Sequence, residues 1–378
     1  MSTLDAGSPP TDGSLRGRSL WQDAVARLVR NRAAMASIVV LALVTLAAVF
    51  GPLLAPHPYD RVYAEYVRVP ASLEPYPRAD TILPEVEDAL KRARVDLEGV
   101  EVGEGVVRVA VRARDGEIDE RIVRYLDRKD LFDGTTIGEF SPDRSAAVMT
   151  TTIQQVRFLL GTDGNGRDML ARILVATRVS LAIGVLATLV ALVIGVAWGA
   201  TAGYAGGRVD AVMMRIVDVL YSLPFVFFVI MLVVFFGRNF VLMFIAVGAI
   251  EWLDMARIVR GQTIALKRRE FVQAAEALGV SGRGILTRHI VPNTLGPVVI
   301  YMTLMVPRVI ILESFLSFLG LGVQEPLTSL GVLIAEGSRN IEGTTWLLLW
   351  PAAMLALTLF SLNFIGDGLR DALDPKDR

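Results

Sequence analysis

Apolar residues in this chain gather in blocks long enough to cross a lipid bilayer, and that segregation constrains the fold more than any single motif does. The chain has 378 residues, 53% of them hydrophobic, and the blocks lie at 33–54, 179–203, 216–236, 240–258, 295–316 and 345–365. A hydrocarbon core about 30 Å thick takes roughly 20 residues at about 1.5 Å each. Helices satisfy their own backbone donors and acceptors in lipid, so the expectation is an all-α integral membrane protein with six transmembrane helices.

An even count puts both termini on one side, and the basic residues say which. Arg16, Arg18, Arg27, Arg30 and Arg32 precede the first block, and Arg260, Lys267, Arg268, Arg269, Arg283 and Arg288 crowd the stretch between the fourth and fifth. Positive loops stay cytoplasmic, so both termini are expected there in a multi-pass protein. The loop between blocks five and six carries Glu325, Glu336 and Glu342 against a lone Arg339, as an outside loop should. The resulting division is a cytoplasmic tail at 1–32, a first helix at 33–54, an extracytoplasmic insert at 55–160, a core at 161–366 with a cytoplasmic loop at 259–294, and a tail at 367–378. The first block follows arginines as a secretory signal would. Its long leader and the Phe50-Gly51-Pro52 sequence at its end fit an uncleaved anchor instead.

Composition excludes several chemistries. A formal net charge of −1 gives no reason to expect nucleic acid. With no cysteine, and with His57 and His289 as the only histidines, a thiol nucleophile, a metal site and a cofactor are not expected.

The insert opens on Pro56, Pro58, Pro70, Pro75, Pro77 and Pro84, which favour an extended entry. Val86, Leu90 and Ala93 recur at near-helical spacing, residues 107–112 alternate as a half-buried strand does, and Ile118, Ile122, Tyr125 and Leu126 suggest a second helix. A small α+β unit is expected. Its apolar content looks low for an independent core, so it is expected to lean on a partner permease or a solute receptor.

Residues 161–168 read Gly-Thr-Asp-Gly-Asn-Gly-Arg-Asp. A phosphate loop would need Lys and Ser/Thr where Arg167 and Asp168 stand, and an EF-hand would need an acid where Leu174 stands. A turn and helix cap fits better: Gly161 and Gly166 permit positive φ, and Asp163 or Asp168 can accept orphan backbone N–H bonds. An outside gate or receptor contact at Gly161, Asp163, Gly166, Arg167 and Asp168 is the functional alternative.

Within the membrane, Gly195, Gly199 and Gly203 recur every four residues, a face on which a neighbouring helix can approach closely. Arg308 and Glu313 lie in the fifth block, where an unpaired charge costs at least about 2.5 kcal/mol. They are expected on a translocation path or subunit interface, or in a structural ion pair. Asp218, Glu251 and Asp254 lie nearer block ends, where interfacial water would solvate them.

The basic loop has helix formers from 267 to 278, with Phe271, Ala274, Ala275 and Leu278 at i, i+3, i+4 and i+7. Gly279 suits the left-handed position after a helix, and Ser281 can cap a second short helix that Pro292 should stop. Such a ridge must bury Phe271 and Leu278 either in lipid headgroups or in a groove on a soluble partner.

The order Gln273-Ala274-Ala275, Gly279 and, after twelve residues, Pro292 resembles the coupling motif of ABC importer permeases. Residues 288–293, Arg-His-Ile-Val-Pro-Asn, the Gly161–Asp168 element, the Gly-Tyr-x-Gly-Gly turn at 203–207 and the stretch Glu313 to Gly322 are similar to the C-type subunit of dipeptide/oligopeptide permeases, in the binding-protein-dependent transport system inner membrane component family. The resemblance covers about half the chain. It implies a type I importer fold in a bacterial inner membrane, and a coupling role for Phe271, Gln273, Ala274, Ala275, Glu276, Leu278, Gly279, His289 and Pro292. It also implies a second homologous permease, two ATPase subunits or domains and an extracytoplasmic substrate-binding protein as partners beside the lipid bilayer. No Walker A pattern is present, so the energy must come from another chain. The family's usual Glu is Gln273 here, which removes a charge; Glu276, a turn on, could replace it. Peptide is the implied cargo, with nickel, opines or sugars as alternatives. An ion-coupled transporter using Arg308 and Glu313 is the rival class, and an intramembrane hydrolase lacks a visible nucleophile and base.

Overall fold

The computed structural model describes residues 20–103, 105–237 and 240–373; Arg16 and Arg18 of the expected tail lie outside them. A first helix, α1 (Leu20–Arg30), gives way at Asn31 to α2 (Arg32–Leu54), the first span. Asn31 Oδ1 accepts from Ala34 N at 3.1 Å, which caps α2.

The insert holds α3 (Ala79–Leu90), β1 (Val95–Val102), β2 (Val106–Ala113), α4 (Val123–Asp127), β3 (Phe132–Phe140) and β4 (Ala146–Ile153). The strands form one antiparallel sheet in the order β1-β2-β4-β3. Val107, Val109 and Val111 alternate inward on β2 and join Ala147, Met149 and Ile153 of β4, while Ile82, Val86 and Leu90 of α3 and Leu126 of α4 close the other side. At roughly 1.5–3 kcal/mol for each fully buried aliphatic side chain, this is a core of the insert's own. The insert thus has a buried core in spite of its modest apolar content. Tyr63, Tyr66, Tyr76 and Phe158 stack where the chain enters and leaves, with ring centroids 5.5–6.4 Å apart.

Then come α5 (Met169–Ala205), α6 (Gly207–Ser222), α7 (Phe225–Phe236), α8 (Phe240–Lys267), α9 (Glu270–Ala277), α10 (Gly282–Ile285), α11 (Val291–Phe318), α12 (Leu330–Ser338) and α13 (Trp346–Leu373). Among the described residues, α2, α5, the run 282–318 and α13 are each long and apolar enough to cross a membrane. The expected third span is a bent pair instead: α6 and α7 meet at 86°. Leu223 precedes a proline and is held extended, and Pro224 starts α7, so the helix cannot run through. The expected fourth span is α8, whose Glu251, Asp254 and Arg257 make it less apolar; Asp254 and Arg257 pair with neighbouring helices.

Helix α8 lies along the glycine face of α5. A Cβ at Gly195 would stand 2.6 Å from Met255 Cβ, one at Gly203 would stand 2.8 Å from Arg260 O, and one at Gly199 would collide with Ala256 O. Backbone meets backbone here, so a movement of α8 is transmitted to α5 with little slack.

Candidate functional site

Two constructions stand at opposite ends of the helical core. One is the corner between α8 and α11. Helix α9 ends with Val280 N bonded to Ala275 O at 3.1 Å and Gly279 at φ +76°, the closure that glycine permits and other residues resist. Ser281 Oγ then accepts from Gly284 N at 3.3 Å and starts α10. Both local expectations hold in the structure.

The apolar face does not fall where the spacing put it. Val272, Ala275, Ile285 and Ile290 are buried together against Tyr204 of α5 and Leu266 of α8, so the corner has a small core. Phe271 is 41% exposed and Leu278 83% exposed, with Ala274 and Glu276 exposed beside them. Two adjacent apolar stripes share Ala275, and the one holding Val272 turns inward. Lys267 fixes the base of the corner by donating from Nζ to Tyr204 O at 2.7 Å. Gln273 Nε2 makes only a long 3.4 Å bond to Arg268 O.

Pro292 does not stop the helix, which corrects that expectation. Residues 286–290 widen into a π turn, in which Val291 N bonds to Leu286 O, and the helix continues as α11 with Pro292 in its first turn. A proline lacks the N–H that would reach four residues back, and the wider turn accommodates both the missing bond and the ring. His289 sits half-buried in that turn, its carbonyl accepting from Asn293 Nδ2 at 2.6 Å. The corner is therefore one rigid piece with the start of α11.

The other construction is the turn at 161–168, on the insert side. Gly161 and Gly166 both have φ +80°, and a Cβ on either would meet backbone of the entry segment at Val69 or Tyr63. Asp163 accepts from Asn165 N, Arg167 N and Arg167 Nε, each at 2.8 Å, and also from Arg172. Arg172, 2% exposed, continues to Glu336 of α12 at 2.9 Å, and Arg167 reaches Glu325 at 2.8 Å. Burial alone would lower the pKa of the Arg167 guanidinium; hydrogen bonds and charge from Asp163 and Glu325 outweigh it, and the net direction is upward. Asp168 caps α5 by accepting from Leu170 N at 2.8 Å, and its other oxygen meets His57 Nδ1 at 2.8 Å. The turn thus ties four segments through ion pairs and hydrogen bonds. His57, Arg172, Glu325 and Glu336 were missed as site residues; Arg172, one of two arginines at the start of an otherwise apolar helix, was the available signal.

Arg308 and Glu313, expected together on a path or interface, part company in the structure. Five residues along a helix is well over a quarter turn, so they face different neighbours. Glu313 is wholly buried and accepts from Ser317 and Ser329 at 2.6 Å and from Ser180 at 3.4 Å, which locks α11 to α12 and α5. Arg308 Nη1 instead donates to Asp254 Oδ2 at 3.1 Å. It lines a cavity of about 600 Å³ between α6, α8 and α11, from which Glu313 is absent. Glu251, expected in interfacial water, is buried in the wall of that cavity. Among the described residues no cluster could hold a metal ion.

Comparison with known proteins bears on all three places. Residues 195–378 match the model of the binding-protein-dependent transport system inner membrane component, and residues 19–75 match the N-terminal TM domain of oligopeptide transport permease C. The chain is 44% identical over 364 residues to the oligopeptide transport system permease protein OppC of Escherichia coli (strain K12), covering 96% of this chain and 94% of the relative. It is 40% identical over 364 residues to the protein of that name in Haemophilus influenzae, covering 96% and 91%. It is 43% identical over 253 residues to the dipeptide transport system permease protein DppC of Bacillus subtilis (strain 168), covering 66% and 79%. By the extent of these matches, the chain belongs to the binding-protein-dependent transport system inner membrane components, in the branch of the C-type permeases.

Proposed function

We propose that this chain forms half of the translocation pathway of an ATP-driven importer for di- or oligopeptides, and that a separate ATPase moves it through the corner at α9. As a member of its family it is a multi-pass inner-membrane permease subunit, not an enzyme, and it works in a complex with further permease, ATPase and substrate-binding subunits. The names of its relatives support peptide as cargo. A second homologous permease, two ATPase subunits or domains and an extracytoplasmic receptor would complete the assembly, with both termini and the corner in the cytoplasm.

One observation carries the coupling role. Phe271 and Leu278 point away from the corner's own core, which would be costly in water and suits a groove on a partner. Behind them the parts are stiff: Val272 and Ala275 hold α9 to the ends of α5 and α8, and the π turn carries on into α11 without a break. A partner that pulls on this ridge moves α8, and the glycine face passes the movement to α5. Nucleotide can bias the pathway only if the ATPase grips the ridge differently in its two states; an unchanging contact shifts nothing. With Gln273 uncharged, Glu276 is an acidic group on this surface that can take its place.

Replacing Phe271 by Asp tests the reading. The variant should insert and assemble, yet lose ATP-driven uptake; uptake at the wild-type rate would remove the ridge from the mechanism. On the insert side, the turn at 161–168 serves as a fixed outer end for receptor docking or gating. Deleting 76–133 should disturb receptor docking, and unchanged docking and transport would dispose of that role for the insert.

A further inference from the structure

The cavity between α6, α8 and α11 contains an acid with no hydrogen-bonded partner for its buried oxygen among the described residues. Arg308 and Asp254 answer each other at 3.1 Å. Glu251 lines the same cavity at 6% exposure, and its Oε2 has no hydrogen-bond partner among the described residues. Two carboxyl groups share one guanidinium in this cavity, and only Asp254 is hydrogen-bonded to it. A carboxylate so enclosed is costly until a cation or a strong donor completes it.

The rest of the wall selects the kind of cation. Leu253, Ile311, Leu312 and Phe315 make it largely apolar. A hard divalent ion such as Ca²⁺ or Mg²⁺ takes about six or more oxygen ligands, and among the described residues no cluster here could hold a metal ion. An ammonium carried on an organic body fits both halves of the site, the head against Glu251 and the body against the apolar wall.

We propose that this cavity is a subsite for a protonated primary amine, with Glu251 as the acceptor and the Arg308–Asp254 pair as its fixed polar border. The inference rests on the peptide-importer reading, under which the amine is the amino terminus of the cargo or a lysine side chain within it.

The test uses the assembled importer in proteoliposomes and three peptides of equal length, with uptake corrected for receptor occupancy: one with a free amino terminus and no lysine, one N-acetylated without lysine, and one N-acetylated with lysine. Glu251→Gln should lower uptake of the amine-bearing peptides relative to the amine-free one by about ten- to a hundredfold, while Glu251→Asp retains most of it. Loss confined to the free terminus assigns the site to the α-ammonium, and loss for both assigns it to any primary amine. An unchanged ratio overturns the proposal. So does a Glu251→Gln chain that inserts but no longer assembles, because the carboxylate then serves a subunit contact. A diazirine-bearing alkylamine decides the site without peptide transport: it should label α8 and α11 around the cavity in the wild type and not in Glu251→Gln, and equal labelling overturns the proposal. If the wild type imports none of the peptides but the alkylamine labels as expected, the cargo reading fails and the amine site stands.

Discussion

The turn at 161–168 and the corner at α9 both join helices of the same core, and they are built on opposite plans. In the turn every charged group among Asp163, Arg167, Asp168 and Arg172 has a partner, and three of the partners, His57, Glu325 and Glu336, come from distant parts of the chain. In the corner the fastening is a small apolar core with local caps, and Phe271 and Leu278 are left outside it. A finished network fixes geometry, whereas an unfinished apolar ridge invites a second surface. The first suits an end that stays put and the second suits a handle.

That contrast can be broken most sharply at the handle. Gly279→Pro should abolish ATP-coupled uptake while leaving insertion intact, because proline cannot take the positive φ that turns the chain there. Uptake at normal rates in that variant would mean that the corner's shape is irrelevant. At the fixed end, Arg172→Ala leaves Asp163 short of a buried partner and should destabilise the fold by about 3–5 kcal/mol. Thermal unfolding in detergent measures the loss, and a small shift would show that the network is ornamental. Between the two ends, Gly199→Val should force α5 from α8 and cost about 1–3 kcal/mol, read as a lower unfolding temperature together with weaker coupling of ATP hydrolysis to uptake.

The smallest effect belongs to the insert. Hydrogen bonds from Ser141 and Ser145 hold the Asp143 carboxyl down at about 2 from an ordinary 3.8. A depressed carboxyl contributes stability above its unfolded value and loses it as pH falls through its folded value. The difference in hydrogen-exchange protection of the β3–β4 hairpin between wild type and Asp143→Asn should therefore be present at neutral pH and vanish between about 4 and about 2. A difference that persists at the acid end would show that another group supplies it.

What was legible in the sequence follows the range of the forces involved. The first, second, fifth and sixth spans, the cap at Asp168, the left-handed Gly279 and the Ser281 cap are settled within a few residues, and they stand in the structure as expected. The inward stripe of α9 was not legible, because Phe271 and Val272 are adjacent and both apolar; only the position of Tyr204, Ile285 and Ile290 decides between them. Long-range pairing was out of reach too: His57 and Asp168 are 111 residues apart, and Arg172 and Glu336 are 164 apart. The insert looked short of apolar residues because β3 and β4 place Thr135 and Thr151 among their inward positions, yet the alternation of β2 and β4 is enough to fill one face. Pro292 misled for a related reason. Proline stops an isolated helix, but a π turn before it and packing around Ile290 let this one continue.

The central claim is that the exposed ridge of α9 is held by an ATPase subunit. A photo-crosslinker at Leu278, and separately at Ala274, in the assembled importer during turnover tests it directly. The account predicts adducts with the ATPase whose yield changes between the nucleotide-bound and nucleotide-free states. Adducts with phospholipid alone, in an assembly that is transporting, would contradict it.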